Sequence, residues 1–91
     1  MKRCCVTGCA RTTKRFWPGV MWICSRHWRL VPAPVKAEHR AAKRALRDLW
    51  RRFNREKRGN ERQYAAVRCR ELCAWLACIR EARIADAMGV R

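Results

Sequence analysis

The stretch Leu49-Trp50-Arg51-Arg52-Phe53-Asn54-Arg55-Glu56-Lys57-Arg58-Gly59-Asn60-Glu61-Arg62-Gln63 decides the fold. Upstream of its glycine, Val35, Ala42, Leu46, Leu49, Trp50 and Phe53 share one stripe on a helical period, which predicts an amphipathic helix over about 35–58. Gly59 suits the left-handed position that ends a helix, and Asn60 with Gln63 three residues later reads as an N-cap with a capping box. A second helix is therefore expected over about 61–88, stopping before Gly89. Its core stripe reads Ala65, Leu72, Leu76 and Ile79, bordered by Tyr64, Cys69 and Trp75. Long helices joined by so short a connection are antiparallel neighbours.

Outward from the helices, residues 1–34 change character. They are rich in Cys, Trp and Gly, and Pro18-Gly19 separates the apolar runs Phe16-Trp17 and Val20-Met21-Trp22-Ile23. Pro then Gly at the centre of a turn suits type II geometry, so a β-hairpin is expected there. Pro32 and Pro34 close the segment, because the residue before each is pushed away from helical geometry. The expected organisation is a zinc-binding module with a β-hairpin over 1–34 and a helical hairpin over 35–91, packed as one small domain. The fold class is mainly α with a small β-hairpin.

The whole chain has 91 residues, and a chain of that length buries only about 65% of its unfolded surface. Leu, Ile, Val and Phe number only 16, under a fifth of the chain, and the formal net charge is +16. Composition of this kind leaves a hydrophobic core short of what folding needs, so a further stabilising element is expected. The seven cysteines are the candidates. An odd number fits a full set of disulfides poorly, and Met1-Lys2-Arg3-Cys4-Cys5 lacks the apolar stretch of a secretory signal. No window approaches the length of a membrane span. The expectation is a cytoplasmic protein whose thiols hold metal.

The sharpest spacing is Cys4-x4-Cys9 followed fourteen residues later by Cys24-x2-His27. Two close-spaced pairs on either side of a turn can supply the four ligands of a tetrahedral Zn2+ site. Gly8 lets the first pair turn tightly, and three-residue spacing puts Cys24 and His27 on one side of a helical turn. Cys5-x3-Cys9 is an equally permissible knuckle, so Cys4 and Cys5 compete on spacing alone. Cys69 and Cys73 lie side by side on the second helix, with burial against the first helix as the expected role. Cys78 falls on nearly the opposite side, among Val67, Ala74 and Ala85, a small-residue strip able to pack on the N-terminal module or on another copy.

The run Cys4, Gly8, Cys9, then Cys24-Ser25-Arg26-His27-Trp28-Arg29-Leu30-Val31-Pro32, resembles the treble-clef type of zinc finger, and in particular the small zinc proteins of phages and prophages. It is also similar to the zinc segment of some HNH nucleases. The resemblance covers about a third of the chain. It implies zinc held by Cys4, Cys9, Cys24 and His27, in preference to Cys5, and a protein encoded by a phage or prophage.

Charge points to the partner. Residues 1–34 carry seven bases and no acid, 35–58 ten bases and three acids, and 59–91 six and four. Opposite the apolar stripe of the first helix lie Lys36, Arg40, Lys43, Arg44, Arg47, Arg51, Arg55 and Arg58, with Glu38, Asp48 and Glu56 outside that strip. It spans roughly 33 Å at helical rise, close to one turn of duplex DNA. Arg26 and Arg29 add to it from the N-terminal module, where Trp17, Trp22 and Trp28 are either stacking groups or the small core around the metal. A one-sided basic face suits the phosphates of DNA or RNA. An acidic host protein is the alternative partner, docked by a phage-encoded modulator. Attachment to a membrane is not expected, because the apolar face is needed by the neighbouring helix. Nor is catalysis: His39 is the only histidine outside the proposed site, and no phosphate loop or nucleophile set accompanies it.

Overall fold

The computed structural model describes residues 2–6, 8–14 and 21–89. In chain order they form β1 (Lys2–Arg3), β2 (Thr12–Thr13), α1 (Ser25–Trp28), α2 (Ala33–Glu56) and α3 (Glu61–Ala87). The chain is thus mainly helical, with a small antiparallel sheet near its N-terminus and two long helices forming a hairpin, as the sequence leads one to expect. It divides into two compact units, Met1–Pro32 with Cys78–Arg91, and Ala33–Ala77. No helix among the described residues is long and apolar enough to cross a membrane.

In the unit Ala33–Ala77, α2 begins two residues before Val35 and takes in Pro34. A proline in the first helical turn is tolerated because its missing N–H would have no intrahelical acceptor there. The other end also shifts. Lys57, not Gly59, adopts the left-handed conformation, with φ 52°, and the Arg58 N–H donates to the Phe53 carbonyl at 3.2 Å. That bond is the outer one of a Schellman cap, so α2 stops at Glu56. The Asn60 side-chain oxygen then accepts from the Gln63 N–H at 3.1 Å and starts α3.

Between these helices His39, Ala42, Leu49 and Ala74 are buried. The side of α3 that is buried differs from the expected stripe. Leu72 and Leu76 are 46% and 47% exposed, Ala65 and Cys69 are exposed as well, and the Cys73 thiol is outside the core. The side that packs is the small-residue one, through Val67 and Ala74. Apolar residues occur on several sides of α3, so periodicity could not choose its rotation. The rings do: Trp75 meets His39 at 5.0 Å and Tyr64 meets Trp50 at 5.4 Å, both from the Cys78 side. Arg70 also grips Glu38 across the hairpin with bonds of 2.8 and 3.3 Å, a solvent-exposed pair that aids register more than stability.

Burial pushes the His39 imidazole below its ordinary value, and Lys43 adds to this; Glu71, 3.8 Å away, opposes the shift without cancelling it. The unfolded chain takes up a proton on His39 near pH 6.5 and the folded chain only at lower pH. Protons therefore favour unfolding below that point. Amide exchange across residues 39–75 should accelerate as pH falls from about 7.5 to about 5.5, after correction for the intrinsic rate, and His39→Gln should flatten that dependence. An unchanged dependence in the variant would assign it to other groups.

In the other unit, β1 and β2 pair antiparallel, Lys2 with Thr13 and Arg3 with Thr12. The expected hairpin through Pro18-Gly19, with Trp17 on its first arm, lies outside the described residues. The sheet that is described instead encloses the loop from Cys4 to Cys9. Beside it runs an isolated parallel bridge between Cys4 and Trp22, with the Cys5 N–H donating to the Trp22 carbonyl at 2.7 Å. Cys4, Val6, Ile23, Cys24, Val31, Cys78, Ile79 and Ala82 are the buried apolar groups of this unit. That core is thin, and it surrounds a buried histidine, His27.

Candidate metal centre

Each half of the site is shaped by its backbone. β1 leads into Cys4, whose N–H donates to the Arg11 carbonyl at 2.9 Å, and the chain reverses so that the Cys9 N–H donates to the Val6 carbonyl at 3.1 Å. Gly8 makes this reversal with φ +85°, where a side chain would be strained. The parallel bridge at Trp22 then lays the approach to Cys24 alongside Cys4. Cys24 is extended, with φ −71° and ψ 163°, and caps α1; the single turn Ser25–Trp28 carries His27 back to the same side.

The four side chains converge. One ligand atom from each of Cys4, Cys9, Cys24 and His27 lies within 4.8 Å of all the others. Cys9 Sγ is 3.8 Å from Cys24 Sγ, Cys4 Sγ is 3.7 Å from His27 Nδ1, and Cys24 Sγ is 3.1 Å from the same nitrogen. Around an ion with zinc's bond lengths, tetrahedral geometry sets sulfur–sulfur separations near 3.8 Å and sulfur–nitrogen separations near 3.5 Å. The Cys9–Cys24 and Cys4–His27 separations suit such an ion, and the Cys24–His27 pair is shorter than that geometry asks. Cys5, the competitor for the first position, stays out of the cluster: its carbonyl accepts from Arg83 Nε at 3.1 Å.

Electrostatics inside the cluster are uneven. Burial pushes the Cys4 thiol up to about 11. Burial acts in the same direction on Cys24, but hydrogen bonds from His27, Cys4 and Cys9 outweigh it and bring this thiol down to about 7. Cys24 therefore gives up its proton before Cys4, and loading the site with a cation must expel the Cys4 proton.

One contributor has no trace in any local motif. His27 Nε2 lies 3.1 Å from Asp86 Oδ1, near the end of α3. With Nδ1 turned to the sulfurs, Nε2–H donates to the carboxylate, which fixes the tautomer and strengthens the imidazole as a ligand. Asp86 is 59 residues from His27, and only long-range packing could have revealed it. Asp86→Asn should lower metal affinity about 10- to 100-fold while keeping one ion per chain, read by chelator competition. Unchanged affinity would reduce Asp86 to a surface partner.

The residues of the basic strip are laid out along α2. Arg40, Lys43, Arg44, Arg47, Arg51 and Arg55 are exposed, Lys36 is half-buried, and Arg58 is exposed just past the helix end. Among the described residues, ion pairs form on Arg68, Arg70 and Arg80, and none on those six exposed bases. Arg26 and Arg29 are exposed in the other unit, where Trp22 and Trp28 are half-buried.

These features define a Cys3His cluster able to hold a metal ion in a small basic helical protein. No family model, no curated protein and no solved structure matches the chain.

Proposed function

We propose that this chain is a zinc-stabilised, non-catalytic nucleic-acid-binding protein. The observation that carries the reading is the one-sided strip on α2, where six exposed bases are left without an acidic partner among the described residues. Phosphates can neutralise such a row, with counterion release as the driving force. Zinc is the ion of choice for the cluster because three thiols and an imidazole in tetrahedral spacing match its preferences, and the ligand order agrees with the treble-clef resemblance. All four positions are filled by protein, as in a structural site, which leaves no open coordination position for catalysis. His39 is buried beside Trp75 and serves the hairpin.

Fluorescence-anisotropy titration of the zinc-loaded protein against DNA and RNA, repeated from about 50 to 200 mM salt, tests the reading. Affinity should fall steeply, by orders of magnitude, over that range. Negligible binding at the lowest salt would overturn it. One observation favours a second reading, docking on an acidic protein: Leu72 and Leu76 form an exposed apolar stripe on α3, near Arg68 and Arg80. A competitor protein that displaces nothing from the α2 strip but protects Leu72 and Leu76 would support that alternative.

A further inference from the structure

At the closed end of the helical hairpin, Trp50, Phe53 and Tyr64 line a cleft of about 650 Å³ whose rim carries Lys57 and Arg58. The sequence places Trp50 in the core stripe of α2, yet its side is open: the residue is 48% exposed. Its neighbours do not cover it flat. Tyr64 meets the indole at 5.4 Å with the ring planes 65° apart, and Phe53 at 6.3 Å with the planes 77° apart. Neither ring stacks in parallel on the indole, and close to half of the Trp50 surface is open to a planar group.

The surroundings select the planar group. Trp50 stands one helical turn beyond Arg47 and just outside the strip of Lys43, Arg47 and Arg51, so phosphates tracking that strip arrive beside the indole. Lys57 and Arg58 also line the cleft, and Glu61 is its single acid. The volume lies within the roughly 300–1,000 Å³ typical of small-ligand sites and admits a nucleotide. A base inside a duplex has both faces covered by its neighbours, whereas an unpaired base offers a free face to an aromatic ring.

Building on the nucleic-acid reading, we propose that the Trp50–Phe53–Tyr64 cleft stacks an unpaired nucleobase of a strand whose phosphates lie on the α2 strip. The protein thereby distinguishes single strands from blunt duplexes. Asn54, also at the cleft, offers an amide able to donate or accept, which tolerates any base.

The test uses zinc-loaded full-length protein with three probes: an oligothymidylate of about 12 nucleotides, an abasic strand of the same length, and a blunt duplex. Wild-type protein should bind oligothymidylate more tightly than either other probe, with quenching of tryptophan emission. Trp50→Ala should weaken oligothymidylate binding roughly 5- to 150-fold, leave the abasic strand and the duplex unchanged, and keep the salt slope. Trp50→Phe should recover part of the loss, and an unaltered helical circular dichroism spectrum excludes misfolding as its cause. Salt-dependent binding that is equal for all three probes and insensitive to Trp50→Ala would overturn the cleft while sparing the nucleic-acid reading. Absence of binding to every probe would overturn both.

Discussion

Replacing Cys24 with Ser is expected to abolish stoichiometric metal binding and to unfold residues 2–32 together with the last turns of α3, while the helical signal of 33–77 persists. Cys24 is the node of the centre. It is 1% exposed, its sulfur lies 3.8 Å from Cys9 and 3.1 Å from His27, and its N–H donates to Cys4 Sγ at 3.3 Å. The binding energy of a structural zinc, about 10–16 kcal/mol in small peptides, becomes folding energy when the site exists only in the folded chain. That is comparable to the whole stability of an ordinary domain, about 5–15 kcal/mol. A core of two isoleucines, two valines and small residues cannot replace it. Metal content by elemental analysis and the near-ultraviolet dichroism of Trp22 and Trp28 measure the two effects. One retained ion per chain in Cys24→Ser, with native dichroism, would remove Cys24 from the ligand set.

The second large effect concerns the strip. Reversing Arg40, Arg47 and Arg51 to Glu should lower nucleic-acid affinity by more than about 100-fold at low salt and reduce the salt slope by roughly three. All three side chains are exposed on α2, so thermal stability and metal content should hold. Affinity that survives the triple reversal would move the binding surface off α2.

What could be read ahead of the structure followed the range of the interactions involved. Cys9, Cys24 and His27 are legible because their spacing is local and thiols with an imidazole so placed have few other uses, whereas spacing left Cys4 level with Cys5 and the treble-clef resemblance alone favoured Cys4. Asn60 is legible for the same reason: an N-cap acts over three residues. The rotation of α3 was not, because Leu72 and Leu76 on one side and Ala74 and Cys78 on the other are both apolar, and only packing of Tyr64 and Trp75 against α2 separates them. The exposure of Trp50 escaped in the same way, since large rings at core spacing normally signal burial. β1 and β2 have two residues each, too short to show alternation. Asp86 depends on a contact no local pattern encodes.

Exposure sets the thiols of Cys69 and Cys73 apart from the other five. A bound metal would sequester those of Cys4, Cys9 and Cys24, the core covers Cys78 and Cys5 is half-buried, whereas two stand in solvent one turn apart, on the side of α3 opposite Cys78. A hydrogen bond with Cys69, reinforced by charge repulsion from it, holds the Cys73 thiol above its ordinary value, which slows its alkylation. Alkylation of the zinc-loaded protein is therefore expected to favour the exposed Cys69 and Cys73 over the half-buried Cys5, with Cys73 slowed by its raised pKa. The pair is a ready handle for fluorophores or spin labels on α3. Under oxidising conditions the same pair is where chains would cross-link first, so its state sets how the protein must be handled in air.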